Sequence, residues 1–318
     1  MQPSFLKAQF QYMLRGFGSR KSFRRKVSFF FEAGRLLRNN ARLRRALARP
    51  AAPIAATDKK CAVVLLSHNR PQNLPLLVQG ALQNSFVSRV IVSNSNAKFR
   101  IRDWVTINDP RVVLIDETTS TAPGRRFVLA GQAPGDYFIT IDDDIFLTPP
   151  QWAAFFETLL ADPEVPHGIT GHIYRPGVPF TNGSEFHHIE SVEAEVDVLI
   201  GAYAFTRAHL KCMFAMAEAL GISSMADVAN GEDVMLSFSG LRAARIHDLG
   251  PVFLCASTSL PGVALWATRQ AFWSERVSLF ESTRRVRLAM AVPWVGPAVS
   301  PNIHATQPAS ALQAAKTF

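Results

Sequence analysis

Three adjacent carboxylates, Asp142, Asp143 and Asp144, interrupt the apolar segment DYFITIDDDIFL at 136–147. Neighbouring acids repel one another unless a cation neutralises them. Hard oxygen donors suit Mg²⁺ or Mn²⁺, with water and a substrate phosphate completing the coordination. In an extended chain alternate side chains share a face. The spacing therefore predicts that Asp142 and Asp144 share a metal while Asp143 serves otherwise. The plain alternative is a capped loop of solvated acids. A second acid pair, Glu232 and Asp233, follows Asn230-Gly231 and opens a predicted helix. Acids in a first turn also simply favour the helix dipole.

Polar clusters end two other apolar runs. Ser67, His68, Asn69 and Arg70 follow CAVVLL, and Asn94, Ser95 and Asn96 follow RVIVS. A strand-to-helix turn offers backbone N–H groups and side-chain donors to an anion. Asn69 serves equally well as a helix N-cap, and Asn94 and Asn96 as turn residues. His247 is the best candidate for an extra metal ligand, although a lone histidine is more often structural. His187 and His188 fall in a stretch read as a polar loop, TNGSEFHHIE. Trp152, Trp266 and Trp273 could stack on sugar rings, but tryptophan is more often core.

The elements that must position these groups alternate. CAVVLLS at 61–67 is a continuous apolar run, as in a strand buried on both faces. LPLLVQGALQNS then has helical spacing, and Pro71 suits an early helical position. Further strands are expected at 89–96, 111–116, 136–147, 167–175 and 195–205. Helices are expected around 126–131, over PPQWAAFFETLLAD, over RAHLKCMFAMAEAL and over EDVMLSFSGLRA. Alternation of this kind predicts an α/β fold, a mostly parallel sheet with helices on both sides. Ligands of such sheets sit at the carboxyl ends of the strands, where the polar clusters fall.

Of the 318 residues 48% are hydrophobic and 19% charged, which excludes a disordered chain. The net charge of +9 is uneven. Residues 1–60 hold 15 Lys and Arg against 2 Asp and Glu, a balance of +13; the remainder is slightly acidic. Bulky apolar residues interleave with arginine over 4–48, a pattern suited to the headgroup region of an anionic membrane. Packing on the body and nucleic-acid binding are the rival uses of this charge. The expected organisation is a basic amphipathic helical arm and linker at 1–58, a catalytic domain at 59–292 and a poorly ordered tail at 293–318. No apolar run approaches 18 residues, so no spanning helix is expected. Three scattered cysteines, Cys61, Cys212 and Cys255, argue against a disulfide framework and suit a reducing compartment.

Strand–SHNR–helix, strand–SNSN and strand–DDD together resemble the nucleotide-sugar domain of GT-A glycosyltransferases. Within these, the chain is most similar to the exostosin-like transferases, over about residues 61–280. Gly124-Arg125-Arg126-Phe127 stands where that family has an asparagine-arginine-phenylalanine segment. Val196-Asp197-Val198-Leu199-Ile200-Gly201-Ala202 with Phe205 resembles its apolar strand and glycine-alanine turn. Asn230-Gly231-Glu232-Asp233-Val234 resembles its Glu-Asp helix start, and Phe272-Trp273-Ser274-Glu275-Arg276 roughly matches a C-terminal arginine segment.

The resemblance implies a metal-dependent transferase, hexosyl or N-acetylhexosaminyl, that uses a nucleoside-diphosphate sugar, UDP-linked. Ser67, Asn69, Arg70, Asn94 and Asn96 would contact the nucleotide, and Arg126 the diphosphate or a carboxylate near it. Asp142 and Asp143 would lie at the ribose or donor sugar, with Asp144 and Asp142 on Mn²⁺ or Mg²⁺. Asp233, with Glu232, would face the acceptor, as general base in an inverting enzyme or as a charge stabiliser in a retaining one. Arg276 would meet the departing diphosphate. The acceptor would be a glycan or lipid-linked glycan, in surface polysaccharide or lipopolysaccharide synthesis. The arm would hold the protein in the cytoplasm, peripherally on the inner face of the membrane; no nucleic acid is expected. The rivals are a nucleotidyltransferase of similar fold, whose glycine-rich, lysine-bearing loop SHNRPQN lacks, and a non-catalytic partner in a polysaccharide assembly. The enzyme reading requires acids that face a nucleotide-sized space rather than acids buried against arginines.

Overall fold

The computed structural model describes residues 5–18, 34, 37–49, 58–179, 184–255, 269, 271–291 and 294–296. The expected tail at 293–318 therefore lies almost wholly outside the described residues, as do much of the basic arm and most of its linker.

A mixed sheet organises the body. Four strands lie in the order β3 (Val112–Asp116), β2 (Val87–Asn94), β1 (Cys61–Ser67), β4 (Tyr137–Ile141), all parallel. The sheet continues through β9 (Val198–Thr206), β6 (His167–Tyr174), β10 (Ala244–Ile246) and β8 (Ala194–Val196). Strand β9 runs antiparallel to both neighbours, which restores the common direction in β6 and β10. A ninth strand, β7 (Phe186–Glu190), pairs antiparallel with β6. The expected α/β class, a mostly parallel sheet flanked by helices, is what the chain adopts.

Register brings the polar clusters to one edge. Ser67 pairs with Asn94, and Asn94 with Asp116. Leu65 pairs with Ile141, so the chain leaves β4 at the acids beside the end of β1. Strand β1 is buried along nearly its whole length, as an interior parallel strand flanked on both faces must be. A short 3-10 turn (Pro71–Asn73) leads into α2 (Leu74–Leu82), with a proline among the first helical residues of each. Helix α3 (Arg125–Gln132) precedes β4, and α4 (Pro149–Ala161) follows it. The α4 entry is fixed by Gln151. Its Oε1 accepts from the Thr148 N–H at 2.9 Å, and its Nε2 donates to the carbonyls of Leu249 and Pro251. Helix α5 (Arg207–Ala219) packs with α6 (Glu232–Ser237) and α7 (Phe272–Ala289).

Four expected elements are corrected. The strand at 136–147 breaks: β4 stops at Ile141, and β5 (Ile145–Phe146) pairs instead with β11 (Phe253–Leu254) in a second, two-stranded sheet. The strand at 195–205 breaks at Asp197, whose N–H donates to the His172 carbonyl while its carboxylate accepts from the Tyr174 N–H. His187 and His188 belong to strand β7 rather than to a loop, paired across from Ile173 and His172. The Glu-Asp helix is shorter than expected, ending at Ser237.

Part of the basic arm enters the core. Helix α1 (Phe5–Gly18) buries Ala8 and Gln9, and the helical residues 37–47 bury Leu43 and Leu47. Ala8, Leu43 and Leu47 share one apolar cluster with β1, α2, β5 and α4. Packing on the body, one of the rival uses of this segment, thus occurs for these residues. The Gln83 amide donates to the Leu47 carbonyl at 2.6 Å and satisfies one of the orphan carbonyls at the end of that helix. Gln83→Leu is expected to cost about 1 kcal/mol, read as a shift of the urea midpoint; an unshifted midpoint would mean that this contact does not hold the 37–47 helix in place.

Candidate active site

The acids occupy a turn, not an extended strand. The Asp142 N–H donates to the Gly201 carbonyl at 2.7 Å, and the Ile145 N–H returns to the Asp142 carbonyl at 3.2 Å. Alternation therefore fails, and the expected grouping changes. Asp143 and Asp144, not Asp142 and Asp144, share a partner. Arg70 Nη1 lies 2.6 Å from Asp143 and Nη2 lies 3.1 Å from Asp144. Asp142 pairs separately with Arg126, at 2.6 Å. The Asn73 amide donates to the Asp143 carbonyl at 2.6 Å.

Gly201 is a glycine for two reasons. Its φ is +72°, and a Cβ there would stand 2.6 Å from the Ile145 side chain that closes the turn. The glycine also leaves the Asp142 carboxylate uncovered; the side chain of Asp142 is 36% exposed, against 9% for Asp143 and 11% for Asp144.

Helix α6 supplies the second acid pair. Gly231 enters it with φ +88°, and a side chain there would collide with Leu279 of α7. Glu232 and Asp233 are both buried. Arg276, from the first turns of α7, grips both Asp233 oxygens at 2.9 and 2.7 Å. The guanidinium lies over the rings of Phe186 and Phe272. Burial, and next the negative charge of Asp233, push the Glu232 carboxyl up to about 7; Arg126 and Arg276 pull the other way.

Tyr203 of β9 joins the two acid groups. Its hydroxyl accepts from the Gly201 N–H at 2.8 Å, and the Arg126 guanidinium lies 5.6 Å from its ring centre. Burial, then Asp233 and Asp142, raise the phenol well above its ordinary range, so the O–H keeps its proton. Burial alone would lower the Arg126 pKa, but Asp142, Tyr203 and Glu232 reverse this and hold the guanidinium charged. Sequence reasoning passed over Tyr203. The usable signal was its place two residues beyond Gly201, on the same face of a strand. It also passed over Asn73, and over His172, a buried neutral histidine beside Arg276 whose Nδ1 has no hydrogen-bond partner.

The nucleotide-side residues form a rim at the ends of β1 and β2. The Asn96 amide donates to the His68 carbonyl at 2.6 Å and reaches the Asn69 side chain at 3.3 Å. Ser67 is buried with an unpartnered hydroxyl. Asn94, expected at base or ribose, is 2% exposed. Its amide donates to Asn96, Phe99 and Asp116, and its oxygen accepts from the Asn96 N–H. Asn94 thus ties the loop after β2 together, with both amide hydrogens used inside the protein and one acceptor position left on its oxygen. Arg125 pairs with Glu117, away from the acids.

His247 does not join the acidic turn. Its ring lies between Glu193 at 2.7 Å and His167 at 2.8 Å. Strand β10, which it follows, is three strands from β4, roughly 14 Å at ordinary strand spacing. Arg70, Arg126 and Arg276, assigned to the nucleotide, its diphosphate or a carboxylate near it, each neutralise a carboxylate here. Asp233 has both oxygens held by Arg276. The cause is common to all: a buried carboxylate without a counter-charge is costly, and the nearest guanidinium supplies one.

Five carboxylates, Asp142, Asp143, Asp144, Glu232 and Asp233, thus meet three guanidinium groups, Arg70, Arg126 and Arg276, around Tyr203. Asp143 and Asp144 are buried against Arg70, the arrangement that the enzyme reading was to exclude, and of the three adjacent acids Asp142 alone stays open, although acid remains in excess over the guanidinium groups. A hard divalent cation there would find Asp142 exposed, and would take Asp144 only in exchange for its Arg70 partner, with positions left for phosphate and water. No cluster of three or more His, Cys, Asp or Glu side chains able to hold a metal occurs among the described residues. A cation would therefore need its ligand's oxygens as well as the protein's.

No family model and no curated protein matches the chain. Among solved structures, GalNAc-T7 with UDP, GalNAc and Mn²⁺ is 10% identical at a TM-score of 0.48, over 70% of this chain and 48% of that one. The mannosyltransferase PcManGT from Pyrobaculum calidifontis, in complex with GDP-Man and Mn²⁺, is 14% identical at 0.40, over 77% and 68%. A CMP:2-keto-3-deoxy-manno-octonic acid synthetase with CTP is 12% identical at 0.35, over 52% and 83%. The chain spans about half the length of the first.

Proposed function

We propose that the chain is a metal-dependent glycosyltransferase of the GT-A type, related to the exostosin-like enzymes, that takes a sugar from a UDP-sugar. The observation that carries this reading is the acid-rich cluster at the carboxyl ends of the strands, next to the polar rim of β1 and β2. A nucleoside diphosphate carries the anionic groups that guanidinium forks such as those of Arg70 and Arg126 would recognise. Asp142 and Asp144 would hold Mn²⁺ or Mg²⁺, which when bound neutralises charge developing on the leaving diphosphate.

The protein's own groups divide the remaining work. Arg126 and Arg70 keep the acidic turn neutralised before ligand arrives and offer guanidinium forks to phosphate afterwards. The Tyr203 phenol stays a donor. Asp233, held in place by Arg276, would face an oxocarbenium-like state as a charge stabiliser. Glu232, titrating near neutrality, is the group poised to exchange a proton with the acceptor hydroxyl. The acceptor would be a glycan or lipid-linked glycan of surface polysaccharide or lipopolysaccharide synthesis, reached at the inner face of the cytoplasmic membrane. The +13 balance of residues 1–60 supports that placement through attraction to anionic lipid.

Calorimetry with UDP, in the presence and absence of Mn²⁺, tests the reading. The unaltered chain should bind UDP only with the cation, and Asp144→Ala should weaken that binding by about tenfold or more while the fold persists. Cation-independent binding, or equal affinity in the variant, would remove the metal–diphosphate site.

A further inference from the structure

The acidic turn is held from in front by Arg70, and it is also held from behind. Two backbone carbonyls of the turn accept hydrogen bonds: that of Asp143 from the Asn73 amide at 2.6 Å, and that of Asp144 from the Cys255 N–H at 2.8 Å. These two donors come from distant parts of the chain. One residue of α1 bridges them. The Gln9 amide donates to Asn73 Oδ1 at 3.4 Å, a long bond, and the Gln9 oxygen accepts from the Cys255 thiol at 3.0 Å. Gln9 and Asn73 are fully buried, and Cys255 nearly so. Ala8, beside Gln9, packs in the same apolar cluster as Ile145, Phe146, Leu147 and Phe253, the strands that leave and flank the turn.

A buried carboxamide is costly unless its donor and acceptor are used. In Gln9 both are used, on the two residues that hold the turn's carbonyls. We propose that α1 is part of the active site, with Gln9 as a positioning residue that fixes the Asp143–Asp144 backbone through Asn73 and Cys255. Gln9 acts on the turn through Asn73 and Cys255. It sets where the carboxylates start from, and errors of about 1 Å at such a point are expensive in binding and catalysis. The basic segment thus contributes to the chemistry as well as to surface attraction.

The test uses the full chain with Gln9→Met, which keeps length and removes both polar atoms, and Gln9→Glu, which keeps an acceptor for Cys255 but no donor for Asn73. Leu43→Ala is the control, a lesion of the same apolar cluster with no bond to the turn. The first readout is amide hydrogen exchange, which needs no ligand. The peptides spanning 142–147 and containing Cys255 should exchange about tenfold faster in Gln9→Met, from local opening rather than global unfolding. Gln9→Glu should loosen the 142–147 peptide more than the one containing Cys255. Leu43→Ala should change these peptides no more than the rest of the core. Unchanged exchange in both Gln9 variants, or the same change in Leu43→Ala, overturns the proposal.

The second readout is calorimetry with Mn²⁺ and UDP, and it rests on the nucleotide-sugar reading above. Gln9→Met should bind the pair about tenfold more weakly than the unaltered chain. Faster exchange with undiminished binding would reduce Gln9 to a structural residue and overturn its positioning role. If the unaltered chain binds no UDP, the nucleotide-sugar reading fails by itself, and the exchange comparison still decides whether Gln9 fixes the turn.

Discussion

Arg276→Met should destabilise the chain by about 3–5 kcal/mol, the cost of leaving a buried carboxylate without its partner. Arg276 is 4% exposed and Asp233 6%, so neither can recruit water without opening the junction of α6 and α7. Both guanidinium contacts to Asp233 are shorter than 3 Å, and a third, longer one reaches Asn230 at 3.4 Å. Methionine fills much of the same volume against Phe186 and Phe272, so the loss reports charge rather than a cavity. Arg276→Lys should recover part of it, because a point charge replaces the two-pronged fork. Arg276→Met combined with Asp233→Leu should be markedly less damaging than Arg276→Met alone, because no unpaired charge then remains. Urea unfolding of the three variants decides the matter. A cost below about 1 kcal/mol for Arg276→Met would place the pair among solvated ion pairs and remove the charge-stabilising role of Asp233.

That pair also shows what could be read from the sequence and what could not. Glu232, Asp233 and Arg276 were legible as residue types in motifs, because acids at a helix start and an arginine after an aromatic pair are local patterns. Their mutual contact was not, since 43 residues separate Asp233 from Arg276 and only the packing of α7 on α6 joins them. The same holds for Arg70, which meets Asp143 across 73 residues. The parallel strands were legible because burial on both faces leaves a continuous apolar run, as in β1. The break at Asp197 was not, since a single acid inside an apolar run looks like a tolerated exception until the β6 backbone supplies its partners. Strand β7 was hidden because its half-buried, histidine-bearing face carries little apolar signal. Tyr203 looked like any core aromatic. Gln9 carries no sequence signal of its own, and only the buried donors and acceptors around it give its place.

Glu232→Gln separates stability from chemistry in this site. The Glu232 carboxyl rises from 4.5 to about 7, first through burial and then through Asp233. The folded chain therefore keeps a proton that the unfolded chain releases between these values. Below about pH 4.5 both states are protonated and this group has no effect. As the pH climbs to about 7 the unfolded state gains the advantage of ionising freely, so stability falls; above about 7 the penalty is constant. One pKa unit corresponds to about 1.4 kcal/mol, which makes the full penalty roughly 3 kcal/mol. Glutamine carries no such penalty. The variant should match the unaltered chain near pH 4.5 and exceed it by roughly 3 kcal/mol at pH 8, seen as a flatter dependence of unfolding free energy on pH. Turnover of a UDP-sugar should move oppositely. In the unaltered chain it should fall as Glu232 is protonated below about pH 7, and in Glu232→Gln it should drop by about 10²–10⁴ at every pH, the usual worth of a proton acceptor. Parallel stability slopes in the two proteins would show that Glu232 ionises freely in the fold. Undiminished turnover in a stabilised Glu232→Gln would leave the burial intact but assign the acceptor's proton to another group.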